Sequence, residues 1–171
     1  MNPRPSAGLR RQVTQRAGDR REYCLTSQAD AIASHQIDHV ISEKHRCPTT
    51  LDNLALSCIL CNLRKGTDLS AIDPATSRVT PLFNPRTQKW SAHFRFDDVW
   101  IVGLTPAGRA TVQLLELNAY QRVAERRELK KGGENAHHRL KGSTNALGPN
   151  AGATTTRGGQ QCLVIDGYSA C

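Results

Sequence analysis

Two cysteines three positions apart, Cys58 and Cys61, constrain this chain more than any other feature. A C-x-x-C knuckle brings two sulfurs within reach of one metal ion or one redox disulfide, and so forces a tight turn between whatever flanks it. On its N-terminal side lies the β-prone run Asn53-Leu54-Ala55-Leu56-Ser57-Cys58. On its C-terminal side, Asn62-Leu63-Arg64-Lys65 before Gly66 fits one or two helical turns with a glycine stop. A second β-prone run, Gln36-Ile37-Asp38-His39-Val40-Ile41, precedes both and is separated from them by a polar loop. The order across this stretch is strand, loop, strand, helix.

The side chains on that frame suit one kind of chemistry. Hydrolysing a phosphodiester near neutral pH needs a base to take a proton from water and a divalent cation to offset charge on the phosphate and the leaving oxygen. Histidine titrates near working pH, and oxygen donors from Asp and Asn suit Mg²⁺ and related ions. The chain supplies Asp38-His39, then Asn53, then Cys58-Ile59-Leu60-Cys61-Asn62-Leu63-Arg64-Lys65-Gly66. Taken singly, each has a structural alternative: Asn53 begins a strand, Asn62 caps a helix, and the knuckle is a redox or structural pair. Their co-occurrence in one order at compatible separations favours the chemical reading.

Read as D-H, N, C-x-x-C-N-x-x-K-G, the order resembles the HNH endonucleases, the ββα-metal group. The resemblance covers about residues 6–131, including Ile101-Val102-Gly103-Leu104-Thr105-Pro106. It implies an α+β fold, a ββα-metal finger with flanking helices and a small hairpin, and a metal-dependent endonuclease acting on DNA. By the same resemblance His39 is the general base, and Asp38 and Asn62 are ligands of a divalent ion, Mg²⁺ or Mn²⁺. Asn53 ties the loop between the strands to the backbone and so fixes the histidine ring. Arg64 and Lys65 are placed to meet phosphates. Successive strand side chains point to opposite faces, so a site using both Asp38 and His39 requires the strand to end, twist or bulge there.

The chain departs from the family pattern in two places. The family's structural zinc uses two C-x-x-C pairs, whereas the first pair here reads Arg21-Glu22-Tyr23-Cys24, leaving Cys24, Cys58 and Cys61 for an ion that wants four ligands. Cys47, or His35 or His45, is a candidate for the missing place. The family's Gly-Gly after K-H is replaced in Lys44-His45-Arg46-Cys47, which tolerates positive φ poorly. A catalytically impaired, nucleic-acid-binding module is therefore the alternative reading.

Composition agrees with a polyanionic partner. The formal net charge is +8, from 23 Lys+Arg against 15 Asp+Glu, which favours nucleic acid, in first place DNA. There is no apolar N-terminal run of signal-peptide type and no stretch approaching the roughly 20 apolar residues of a membrane span. These point to a soluble, cytoplasmic protein whose thiols stay reduced. The chain divides into a basic N-terminal helix (1–20), the ββα-metal module (21–67), a wrapping segment with a hairpin and two helices (68–131), and a Gly/Ser/Thr-rich tail (132–171) expected to be disordered. Arg10, Arg11 and Arg16 form either a solvated or a phosphate-contacting face of the first helix. Trp90, Phe94 and Phe96 are expected in the core. Thr105-Pro106 opens a helix to about Leu117, and Asn118 with Gln121 resembles a capping box for another, to about Lys131 and closed by Gly132-Gly133. His137-His138, Cys162 and Cys171 read as solvated tail residues.

Overall fold

A computed structural model of the chain describes residues 4–27, 35–137, 163–165 and 168–170, with side chains described up to residue 131. Helix α1 (Ala7–Arg16) starts at Ser6, whose hydroxyl accepts the Leu9 amide, and buries Val13. Strands β1 (Gln36–His39) and β2 (Leu54–Ser57) pair antiparallel, with Asp38 opposite Ala55 and His39 opposite Leu54. Helix α2 (Ile59–Lys65) follows directly, capped by the Cys58 sulfur, which accepts the Cys61 amide. This is the expected ββα finger, with the helix begun three residues earlier than the glycine stop alone suggested. The knuckle itself is the helix start.

The finger is packed on both sides. Val13 of α1 meets Leu54 and Leu56 of β2, while Tyr23, Cys24, Ala55, Cys58 and Cys61 join Phe83, Phe94, Ile101, Leu115 and Leu117 in a larger core. Arg16 donates to the Leu51 and Leu54 carbonyls at 2.6 and 2.5 Å, so this arginine ties α1 to the strand. Its job is neither of the two expected of it.

Beyond the finger come the hairpin of β3 (Ser70–Ile72) and β4 (Val79–Pro81), the short helix α3 (Trp90–His93), and the hairpin of β5 (Phe94–Asp97) and β6 (Trp100–Gly103). Helix α4 (Pro106–Leu114) carries the expected Thr105 cap, its hydroxyl accepting the Gly108 amide. Gly103 and Gly108 allow the close approach of β6, α3 and α4. A Cβ at Gly108 would lie 2.2 Å from the His93 carbonyl oxygen, and one at Gly103 would lie 2.4 Å from the Arg109 nitrogen. The buried Asp73 carboxylate, gripped on both oxygens by Arg109, joins the first hairpin to α4.

Helix α5 (Tyr120–His137) differs from its expected form at both ends. Asn118 does not cap it but clamps β6, accepting the Ile101 amide and donating to the Ile101 carbonyl. The glycines at 132 and 133 do not stop it, and the helix runs on to His137. Of the tail, strands β7 (Leu163–Ile165) and β8 (Tyr168–Ala170) pair antiparallel. His138, Cys162 and Cys171 lie outside the described residues, and the side chain of His137 does as well. Phe94 is buried as expected and Trp90 partly so, but Phe96, on the same face of β5 as Phe94, is exposed and stacks on the Trp90 ring at 5.3 Å instead of entering the core.

Candidate active site and cysteine cluster

Strand β1 ends at His39, which relieves the alternation problem at Asp38-His39. Asp38 faces α2. Its carboxylate sits 3.5 and 3.4 Å from the Lys65 ammonium and accepts the Tyr23 hydroxyl at 3.2 Å. Only 4% of Asp38 is exposed, and burial pushes its carboxyl up to about 6 although Lys65 and the Tyr23 hydroxyl pull the other way. Asn62, one turn before the end of α2, donates through Nδ2 to Gln36 Oε1 at 2.7 Å. Gln36 and Asp38 lie two apart on β1 and share a face, so Asp38 and Asn62 both belong to the strand–helix interface. Carboxylate and carboxamide oxygens are the donors that hard divalent cations take, so these two residues fit such an ion in kind. Lys65 is the competing charge.

The His39 ring turns into the loop instead. Thr49 Oγ1 donates to Glu43 Oε1 at 2.7 Å, and its oxygen lies 2.9 Å from His39 Nε2. A hydroxyl has one proton, so with that proton on Glu43 the imidazole must donate from Nε2, leaving the Nδ1 lone pair as the basic site. Burial pushes the His39 pKa below the usual histidine value; the Glu43 carboxylate opposes this and the Lys65 ammonium adds to it. The ring is therefore neutral near pH 7.

Asn53 is buried and saturated. Its Oδ1 accepts the Ile41 amide at 2.9 Å, and its Nδ2 donates to the Ile41 carbonyl at 2.9 Å and the Pro48 carbonyl at 3.0 Å. The loop that carries Glu43 and Thr49 is thus stitched to the end of β1. At its apex Arg46 adopts φ 61°, ψ 20°, the left-handed conformation that glycine takes most readily.

One assignment needs correction. Lys65 cannot meet phosphates, because it is 3% exposed and its ammonium donates to the His39 carbonyl at 2.7 Å beside Asp38. The α2 turn that ends at Gly66 folds this side chain inward. Arg64 does lie on the exposed side of α2, where it pairs with Glu116. Tyr23, Glu43 and Thr49 also belong to the site, although the motif does not include them. Glu43 could have been found from its position four residues after His39 in a polar loop; Tyr23 and Thr49 carried no such signal.

The second constellation is the sulfur cluster. Cys24, Cys58 and Cys61 are all buried, with their sulfurs within 4.8 Å of one another, a spacing at which they could share one metal ion. Neither Cys47 nor either histidine belongs to that group, and the His45 ring bonds the Thr67 carbonyl instead. On the sulfurs lies Arg122 from α5, 2.9 Å from Cys61 Sγ and 3.6 Å from Cys58 Sγ. The Cys24 thiol is held well below its ordinary pKa, first by hydrogen bonds from Cys58 and Cys61, and those two thiols are correspondingly pushed up. Three sulfurs and a guanidinium are not the closed four-ligand set of a structural zinc site.

Residues 22–68, which span this finger from Glu22 past Lys65, match the family model for HNH endonuclease. The chain carries an HNH endonuclease domain. No curated protein and no solved structure matches it. Both constellations lie within the matched stretch except for Arg122, which the HNH domain receives from α5.

Proposed function

We propose that this HNH domain is a metal-dependent endonuclease that hydrolyses phosphodiester bonds in DNA. The observation that carries the reading is the state of His39: a neutral imidazole, anchored through Nε2 to Thr49 and Glu43, with no hydrogen-bond partner for Nδ1 among the described residues. Such a group takes a proton from water as the oxygen attacks phosphorus. Asp38 and Asn62 would hold a Mg²⁺ or Mn²⁺ ion, which when bound offsets charge on the phosphate and the leaving oxygen. Asn53 fixes the loop that anchors the imidazole and does not itself react. The +8 charge draws the polyanion in, and the exposed Arg10 and Arg11 of α1 and the half-exposed Arg64 are the phosphate contacts that Lys65 is not.

The test is nicking of supercoiled plasmid by purified protein. Cleavage with Mg²⁺ or Mn²⁺, abolished by chelation and by His39→Ala with DNA binding retained, supports the proposal. One observation favours the alternative, a nucleic-acid-binding module without activity: the Lys65 ammonium already neutralises Asp38. Salt-sensitive DNA binding with no metal-dependent cleavage would decide for that alternative.

A further inference from the structure

We propose that the guanidinium of Arg122 takes the place of a metal ion in holding Cys24, Cys58 and Cys61 together, so that this HNH domain keeps its knuckle without zinc. Arg122 is 5% exposed, and its Nη1 donates to the Leu115 carbonyl at 2.8 Å, which aims Nη2 at the sulfurs. From there Nη2 reaches Cys61 and Cys58. Among the described residues Arg122 forms no ion pair with a carboxylate, so a cation buried beside Leu115 and Leu117 has the sulfurs as its counter-charge. Buried charges require such a partner.

The remaining sulfur contacts complete a hydrogen-bonded cluster. The Cys61 amide donates to Cys58 Sγ at 3.2 Å, and the Thr26 hydroxyl donates to Cys24 Sγ at 3.6 Å. Each sulfur therefore has a donor: Cys24 from Thr26, Cys58 from a backbone amide and Arg122, Cys61 from Arg122. Charge counting alone does not separate the two states, since zinc on three thiolates carries one negative charge that Arg122 would equally balance. The fourth coordination position does separate them. Zinc in a structural site needs a lone pair there, and a guanidinium has none to give. Cys47, His35 and His45 all lie outside the group formed by the three sulfurs, the His45 ring bonding the Thr67 carbonyl, and Arg21 stands where the family has its fourth cysteine.

The arrangement also explains why an arginine from outside the matched segment is buried here. With the fourth cysteine gone, two turns of chemistry keep β2, α2 and the Tyr23–Cys24 turn together: core packing, and a cation delivered by α5. The HNH domain thereby depends on α5 for its integrity.

Metal analysis of the full chain, purified without chelator, tests this. The expected result is below about a tenth of an equivalent of zinc per chain and a melting temperature unchanged by a strong chelator. Arg122→Ala, which removes the cation and opens the fourth side to water, is expected to gain zinc and to become chelator-sensitive. About one zinc per chain in the unmodified protein, with melting lowered by chelator, would overturn the proposal. Because that result is read on the unmodified protein, it holds even where Arg122→Ala fails to fold. Plasmid nicking is a separate readout, so failure of the nuclease reading leaves this inference standing, and the converse.

Discussion

Replacing Asn53 by aspartate isolates the role of its carboxamide, because the shape is kept and only the donors are lost. The oxygen that accepts the Ile41 amide survives in Asn53→Asp, whereas the nitrogen that serves the Ile41 and Pro48 carbonyls becomes an anionic oxygen about 3 Å from both. Each lost hydrogen bond contributes about 1 kcal/mol net, and each buried carbonyl left unserved adds about 1 kcal/mol or more. The expected loss is about 4 kcal/mol, or a fall in melting temperature on the order of 10 °C or more. The sign of the pH dependence follows from the same geometry. On acidification the new carboxyl gains a proton and can donate to one carbonyl again, so the deficit narrows as pH falls from about 7 toward 5. Asn53→Ala has no proton to gain, and its deficit stays flat over the same range. Urea unfolding followed by Trp90 and Trp100 fluorescence measures both. Equal midpoints for Asn53→Asp and the parent near neutrality, or a deficit that grows on acidification, would refute the reasoning.

Glu43→Gln removes the carboxylate that anchors Thr49 and raises the His39 pKa; nicking is expected to slow by about tenfold, with its acid limb moved to lower pH, as single-turnover pH profiles would show. Arg46→Gly relieves a left-handed residue at the loop apex and is expected to be neutral to stabilising by up to about 1 kcal/mol in urea titrations, unlike glycine substitution at most sites. Asp38 has its folded pKa raised to about 6 against about 3.9 in the unfolded chain, so the folded state holds the proton more tightly: the stability it contributes is full below about 3.9 and lost as pH rises through about 6. Relative to Asp38→Asn, the metal-free parent should therefore lose about 3 kcal/mol between these limits, measured by denaturation at a series of pH values.

The ββα order, the caps at Ser6 and Thr105 and the place of Asn53 were legible because they depend on local spacing and on single residue types. The same local spacing picks out Asp38, His39 and Asn62 as candidates, but not that Asp38 and Asn62 lie at the strand–helix interface while the His39 ring turns into the loop. What was not legible depends on depth and on long-range approach. Nothing in Arg64-Lys65 distinguishes a solvated pair from one outward arginine and one lysine folded beneath Asp38; burial decides that, and it is fixed by how α2 lies on β1. The course of α5 through two glycines, each costing about 1 kcal/mol in a helix, runs against propensity. Arg122 lies 61 residues from Cys61, and no sequence spacing announces their contact. The missing fourth cysteine could be seen in the sequence; the cation that answers it could not.

Binding of Mn²⁺ to the full chain, followed by electron paramagnetic resonance, tests most directly whether the strand–helix interface is a cation site beside a basic imidazole. The account predicts one ion per chain, weakened at least about tenfold by Asp38→Ala and by Asn62→Ala, and largely unaffected by His39→Ala. Ion binding that is equally strong in Asp38→Ala and Asn62→Ala, or no binding above background in the parent, would contradict it.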